Sequence, residues 1–430
     1  MADDDVIRPT PLLAMWNDWA DASMPYRQPF MAMLAGVTAF SSCMGKSYTG
    51  PTGAISPLMT LILAPPGGGK DTPQNMARYF MEQIGLSPLL GAGHWGSAQG
   101  LERELGEKHE LFAICDEFAD IVKANCHPNC PSYKKEIFTI LKKVFNGEPY
   151  TGSAKKDGEA TVNIVDPRIA LLAAAPVDTF WNAINEEIIG DGLMSRINIF
   201  NGAIRGLVVK GRTSANYKES FPVAIKDFAV EALKKAGRKV DQDPSGKILV
   251  MPNSRIPYTD ATAKAMASEL QYKYRIEYEE LHHAGARVEG ALRGRTFERI
   301  IRLAAVYAWT ERTSDISVSV AAIKWASALV DYADSTTLRA LGGSLNTEDR
   351  VAKLFTRIKS AIIGAGSTGA SRAYLVDRLR LGRSEIENVI QEMTRSKLVG
   401  VSATKRGTTI YVWLGDSGEV TKPEDRTEIT

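Results

Sequence analysis

Leu61-Ile62-Leu63-Ala64-Pro65-Pro66-Gly67-Gly68-Gly69-Lys70-Asp71-Thr72 is the stretch on which the reading of this chain turns. The apolar run from Leu58 to Leu63 predicts a buried strand, and Thr72 to Ile84 predicts a helix. Glycines tolerate positive φ, so the loop between them can aim several backbone N–H groups at one anion. The helix N-terminus faces the same anion, and Lys70 adds a point charge for β- and γ-phosphates. Pro66, Gly67, Gly68, Gly69, Lys70, Asp71 and Thr72 are therefore the expected phosphate cradle. Two positions depart from G-x-x-x-x-G-K-[S/T]: Ala64 replaces the first glycine, and Asp71 stands where a hydroxyl usually ligates Mg²⁺. A carboxylate can bind that cation but adds negative charge beside the phosphates. Thr72 offers a hydroxyl one residue later. A glycine-rich turn with an exposed lysine is the plainer alternative, and the flanking strand and helix speak against it.

A second buried strand, Leu111 to Cys115, ends in Asp116-Glu117. Alone, a strand ending in two carboxylates means little. Placed some forty-five residues after a phosphate loop, it predicts Asp116 on Mg²⁺ and Glu117 polarising an attacking water. The expected cofactors are thus ATP and Mg²⁺. Phosphoryl transfer also needs positive charge from outside the cradle, often a neighbouring subunit's arginine. Arg196, in Gly190-Asp191-Gly192-Leu193-Met194-Ser195-Arg196, is the candidate, with an ion-paired surface arginine as the alternative. Action in trans requires head-to-tail contacts, which close into a homo-oligomeric ring such as a hexamer when the rotation allows.

Around this site the chain divides into five expected segments. Residues 1–57 form a helical N-terminal segment, with the prelude at Pro11 to Ser42, and residues 58–206 an α/β RecA-like core whose third strand is Ile169 to Ala175. Alternating helices and doubly buried strands predict a parallel sheet. Tyr150 to Ser153 and Ala160 to Val165 read as a hairpin around Lys155-Lys156-Asp157-Gly158. Its two lysines are either a DNA-tracking tip or a solvated turn. Residues 207–345 are mostly helical, and Gly342-Gly343-Ser344 reads as a linker. Residues 346–415 predict three helices, capped at Thr347, Ser371 and Ser384 (the last with Glu387 in a capping box), then two strands, the layout of a winged helix. A flexible tail, 416–430, follows.

The winged-helix segment holds twelve Lys/Arg against six Asp/Glu, a local excess that suits nucleic acid. Arg383 and Arg395 bracket its third helix, and Lys405 and Arg406 tip the wing, so these four are the expected DNA contacts. Protein docking is the alternative use of such a unit. Arg287, Arg293, Arg295, Arg299 and Arg302 either contact phosphates or form a solvated helix face.

The whole chain has 430 residues, 44% hydrophobic and 24% charged, with a net charge of +2. No global field steers it toward nucleic acid or membrane, so binding must come from local patches. Four cysteines do not make a secreted disulfide framework, and Met-Ala-Asp-Asp-Asp lacks the positive start of a signal peptide. The apolar run from Phe30 to Phe40 falls short of the roughly 20 residues that span a bilayer. A cytoplasmic protein with no membrane partner is expected. Cys126-His127-Pro128-Asn129-Cys130 has no second Cys/His pair, so it does not predict a zinc site. His282-His283 are read as water-facing, and Phe180-Trp181 as packing.

From Pro29 to about Tyr332 the chain resembles the RecA-like P-loop ATPases of phages and prophages that accompany primase-polymerase modules. Those proteins are inferred to be replicative helicases. The resemblance rests on the helical prelude, Gly69-Lys70, the strand ending Asp116-Glu117, Ala175-Pro176, the segment Gly192 to Arg196, and a helix beginning near Arg299 to Leu303. It covers about two thirds of the sequence and implies a ring-forming, DNA-dependent ATPase, a translocase or helicase on single-stranded and also duplex DNA. A primase or polymerase partner would come from another chain, and a phage-encoded protein would act in the bacterial host cytoplasm. A replication initiator or helicase loader that uses ATP as an assembly switch is the alternative from another class, and Asp71 gives it weight.

Overall fold

The computed structural model describes residues 4–24, 27–126, 131–152, 163–164, 166–184, 189, 192–201, 216–237, 254–345, 347–366, 369–379, 383–396, 398–403 and 408–414. The fold is mixed α/β around a parallel sheet. The chain divides into two compact units, Met1–Ala340 and Leu341–Thr430.

The first unit opens with α1 (Asp4–Ile7), α2 (Pro11–Ser23) and α3 (Pro29–Met44). The expected helical prelude, Pro11 to Ser42, is built of the two helices α2 and α3. Met24, ahead of Pro25, has φ −88° and ψ 130°, the extended conformation that a following proline imposes. Pro29 then starts the next helix, where its missing N–H costs nothing. Fifteen of the sixteen residues of α3 are buried, so it is a core helix with no solvent face. Trp16 packs edge-on against Phe40 at 5.3 Å and Phe80 at 5.7 Å, and its Nε1 donates to the Ala32 carbonyl at 2.7 Å.

Next come β1 (Tyr48–Thr49), β2 (Met59–Leu63), α4 (Asp71–Gln83), α5 (Ala98–Lys108), β3 (Glu110–Cys115), α6 (Phe118–Cys126) and α7 (Ser132–Phe145). The short pair β4 (Tyr150–Thr151) and β5 (Asn163–Ile164) is antiparallel. Then follow β6 (Arg168–Ala175), α8 (Val177–Ala183) and β7 (Asn198–Asn201). The main sheet runs β3-β6-β2-β7, and every pairing in it is parallel. All residues of β2, β3 and β6 are buried, because helices cover both faces. Ile62, Phe112, Ile114, Leu172 and Phe200 join the core that contains α2 and α3. Thr38 of α3 also bonds Thr60 of β2 at 2.8 Å.

The chain leaves β2, passes over β6 to build β3, returns to β6, and then crosses β2 to reach β7. The strand order therefore changes direction beside β2. In open α/β sheets, the crevice beyond the carboxyl ends at such a point is where ligands bind.

There follow α9 (Val223–Lys235), β8 (Ser254–Arg255), α10 (Ala261–His283), α11 (Arg287–Glu311) and α12 (Val320–Leu345), whose last five residues fall in the second unit. Gly342-Gly343-Ser344, read as a linker, is helical and belongs to α12. Glycine costs a helix about 1 kcal/mol per residue but does not forbid it.

The second unit contains α13 (Thr347–Gly364), β9 (Ala370–Ser371), α14 (Arg372–Leu379), α15 (Arg383–Arg395), β10 (Val399–Ala403) and β11 (Thr409–Trp413). Its sheet is antiparallel in the order β10-β11-β9. Ile358, Leu375, Ile386, Ile390, Met393 and Tyr411 build a separate core. Ser371 caps α14 through the Tyr374 N–H at 3.2 Å. Glu387, expected in a capping box, pairs with Arg372 at 2.7 Å. Among the described residues, no helix is long and apolar enough to cross a membrane.

Candidate functional site

The loop after β2 leaves the carboxyl edge of the sheet at Ala64 and enters α4 at Asp71. Gly67 has φ +74° and Gly69 has φ +80°, values that side chains beyond glycine rarely adopt. Gly68 is needed for a different reason. Its N–H donates to the Pro65 carbonyl at 2.9 Å, and a Cβ there would stand 2.8 Å from the same oxygen. A Cβ on Gly67 would meet nothing within 4 Å, so that side of the loop is open. Lys70 already has helical dihedrals, φ −63° and ψ −25°. The open side of the loop, the N–H groups that the first helical turn leaves unpaired and the Lys70 ammonium are donor chemistry suited to a polyphosphate. Pro66 is exposed, Thr72 is half-buried, and Asp71 is exposed in the first helical turn. There Asp71 complements the positive helix end but competes with any anion placed on it.

Two strands away, β3 delivers Asp116 and Glu117 to the same edge. Lys70 Nζ pairs with Asp116 Oδ1, so two groups forty-six residues apart meet. The same carboxylate oxygen accepts the Glu117 N–H at 2.9 Å. Glu117 is exposed and has φ +56°, a left-handed conformation that costs a side-chain-bearing residue roughly 1–2 kcal/mol. Its carbonyl accepts the Asp120 N–H at 2.9 Å, which starts α6 and keeps the turn tight. Strain of this kind collects at functional sites. Behind the pair, burial and then the Asp116 charge push the Cys115 thiol up to about 12, so it stays protonated. No group of three or more His, Cys, Asp or Glu is arranged to cage a metal among the described residues. Mg²⁺ at a nucleotide site needs only one or two carboxylates besides phosphate and water, which Asp116 and Asp71 can supply.

Arg196 lies elsewhere. It ends a 3₁₀ turn, Met194–Arg196, just before β7. Asn198 pairs with Thr60 and Asn201 with Leu63, so Arg196 stands at the amino edge of the sheet. At about 3.3 Å per residue, roughly 17 Å of strand separates it from the level of the phosphate loop. Its Nη1 donates to the Gly192 carbonyl, and its guanidinium sits 5.8 Å from the Phe145 ring centroid. The chain's own arginine is thus not brought to its own loop.

The basic stretch of α11 is not one uniform face: Arg287 is exposed, whereas the arginines further along turn toward the protein. Arg299 and Arg302 are each 1% exposed. Arg299 pairs with Asp334 at 2.6 Å. Arg302 pairs with Glu298, stacks 3.7 Å over Phe145 and donates to the Pro57 carbonyl at 3.3 Å. Burial, reinforced by Arg168 and Arg295 and opposed by Glu298, holds Arg302 down at about 10. Arg295 bonds Glu298 at 3.0 Å, and Arg293 bonds Glu277 at 3.2 Å. Arg293, Arg295, Arg299 and Arg302 are thus each paired with a carboxylate of the chain itself.

Lys155, Lys156, Lys405 and Arg406 lie outside the described residues, as do His127 to Cys130. Arg383 opens α15, with its side chain outside the description, and Arg395 is exposed in the last turn of that helix. His282 and His283 are exposed, and Trp181 packs on Phe180 with ring centroids 5.0 Å apart.

Two features escaped the reading of local patterns. One is the left-handed Glu117, which no residue type announces. The other is Gln28, 3% exposed at the start of α3, whose Nε2 donates to the Gly68 carbonyl at 3.3 Å. No protein-family model matches this chain, and no curated protein matches it.

Proposed function

We propose that the protein is a RecA-like P-loop ATPase that translocates along or unwinds DNA within a phage-type replication system. The observation that carries this reading is the meeting of Lys70 and Asp116 beside the open glycine loop, at the switch point of a parallel sheet. Lys70 would exchange its carboxylate partner for the β- and γ-phosphates of ATP, which frees Asp116 for the cation. Bound Mg²⁺ would neutralise charge on those phosphates. Glu117, held outward by its left-handed backbone, would orient and deprotonate the attacking water, a role worth about 10²–10⁴ in rate.

Arg196 fits action on a neighbouring subunit, because its own loop lies at the opposite edge of the sheet. A head-to-tail ring would bring the amino edge of one subunit to the carboxyl edge of the next. The second unit supports a DNA contact. Its helix–strand–helix–helix–strand–strand order and three-stranded antiparallel sheet would fit a winged helix, with Arg383 and Arg395 at the ends of α15. The antiparallel pairing of Tyr150–Thr151 with Asn163–Ile164 is compatible with the expected DNA contact at Lys155 and Lys156, which lie outside the described residues.

Steady-state ATP turnover with and without single-stranded DNA tests the reading, using the native chain, Lys70→Ala and Glu117→Gln. Severalfold stimulation by DNA, lost in both variants, is expected. Tight ATP binding with background turnover in the presence of DNA would instead assign a nucleotide-gated DNA-binding switch.

A further inference from the structure

We propose that Gln28 is a positioning residue for the phosphate cradle: from the helical layer, its amide holds the Gly68 carbonyl and so turns the Gly69 N–H toward the bound phosphates. The inference rests on the nucleotide reading above and deepens it.

A trans peptide is planar, with its C=O and N–H on opposite sides. The peptide joining Gly68 to Gly69 has its carbonyl bonded at 3.3 Å by Gln28 Nε2. Gln28 is 3% exposed, so the carbonyl side is the protein side. The Gly69 N–H therefore points the other way, where the loop is open and Pro66 and Gly67 are exposed. Without this bond little would hold that plane, because glycines on both sides let a peptide flip at small cost. The preceding peptide is fixed independently by the Gly68 N–H to Pro65. Gln28 thus fixes this peptide plane before any ligand arrives, and preorganisation of this kind is gained as affinity.

The placement of Gln28 suits the task. It occupies the N-cap of α3 yet makes no side-chain capping bond, so its amide is turned away from its own helix and toward the loop. The residue lies forty positions before Gly68 and joins the buried prelude directly to the nucleotide site.

The test is calorimetric titration of ATPγS with Mg²⁺, and separately of inorganic pyrophosphate, into the full chain. Gln28→Leu removes the donor, Gln28→Met keeps the chain length should leucine not pack, and Gln28→Glu sets a carboxylate against the carbonyl. Leucine and methionine should weaken both ligands by about three- to tenfold, the factor carried by one net hydrogen bond, and glutamate by more. KM for ATP should rise while kcat changes little. Thr38→Val, which removes another buried polar contact of α3, serves as the structural control. It should lower the melting temperature and leave ATPγS affinity unchanged. The proposal is overturned if Gln28→Leu and Gln28→Met bind ATPγS as tightly as the native chain. It is equally overturned if Thr38→Val weakens binding as much as they do. Failure of the native chain to bind ATPγS, or indifference to Lys70→Ala, would instead overturn the nucleotide reading.

Discussion

Arg299→Ala is expected to be among the most damaging single substitutions outside the phosphate loop. Arg299 and Asp334 are 1% and 2% exposed and lie 2.6 Å apart across the packing of α11 on α12. Truncating the arginine leaves a carboxylate buried without its counter-charge, a change that costs roughly 3–5 kcal/mol in proteins. Two neighbours soften the loss. Thr296 Oγ1 still donates to Asp334 Oδ2 at 2.8 Å, and Arg293 Nη1 stays 3.8 Å away. We therefore expect the lower end, about 3 kcal/mol, against a total stability of about 5–15 kcal/mol. With an unfolding entropy of about 2.1 cal/mol/K per residue, the Met1–Ala340 unit converts 1 kcal/mol to about 1.4 °C, so the melting temperature should fall by about 4 °C. Trp309, fully buried on the same helix, reports the transition by fluorescence. A double-mutant cycle isolates the pair: Arg299→Met with Asp334→Leu should recover most of the loss, because well-packed apolar groups replace a buried ion pair at little cost. A drop below about 2 °C for Arg299→Ala, or a double variant less stable than either single one, would refute the electrostatic account.

Gly36→Ala should destabilise the chain despite alanine's better helix propensity, because the new Cβ would stand 2.7 Å from Trp16 Nε1. The propensity gain of about 1 kcal/mol is outweighed by overpacking and a strained indole bond, together about 2–4 kcal/mol, and urea denaturation reads the net sign. Glu117→Gly should relieve about 1 kcal/mol of left-handed strain and raise the melting temperature, while ATP turnover disappears. Glu117→Ala would lose turnover without that gain. Cys43 and Cys115 are fully buried, and Cys115 is pushed up to about 12. A Cys126→Ser/Cys130→Ser variant should therefore stay unreactive to a thiol reagent at neutral pH until it is unfolded; rapid labelling of the native form would contradict this burial.

The strands around the site were legible because physics leaves them little choice. Residues 61–63, 111–115 and 169–175 are short apolar runs, and they stay apolar because both faces of the sheet are covered. The glycine loop and the two carboxylates were legible for the same local reason, since their chemistry is written within twelve and seven consecutive residues. Contacts between distant residues were not. Gln28 meets Gly68, Thr10 meets Thr310 at 3.0 Å, and Arg299 meets Asp334, and no window along the chain contains both partners. The arginines of α11 misled for that reason: a charge at a core position looks solvated until its counter-charge is placed. Strand β7, Asn198–Asn201, is four residues with asparagine at both ends and shows neither alternation nor a long apolar run. Its register nevertheless puts Arg196 at the far edge of the sheet, and so bears on whether that arginine can act within its own subunit.

The most direct test of the central claim is a single-turnover experiment with γ-labelled ATP, Mg²⁺ and single-stranded DNA. It should compare bound nucleotide and released phosphate for the native chain and for Glu117→Gln. The account predicts that both bind ATP, that the native chain releases phosphate faster when DNA is present, and that Glu117→Gln holds its ATP unhydrolysed. Equal phosphate release from the two proteins, or binding by neither, would contradict it.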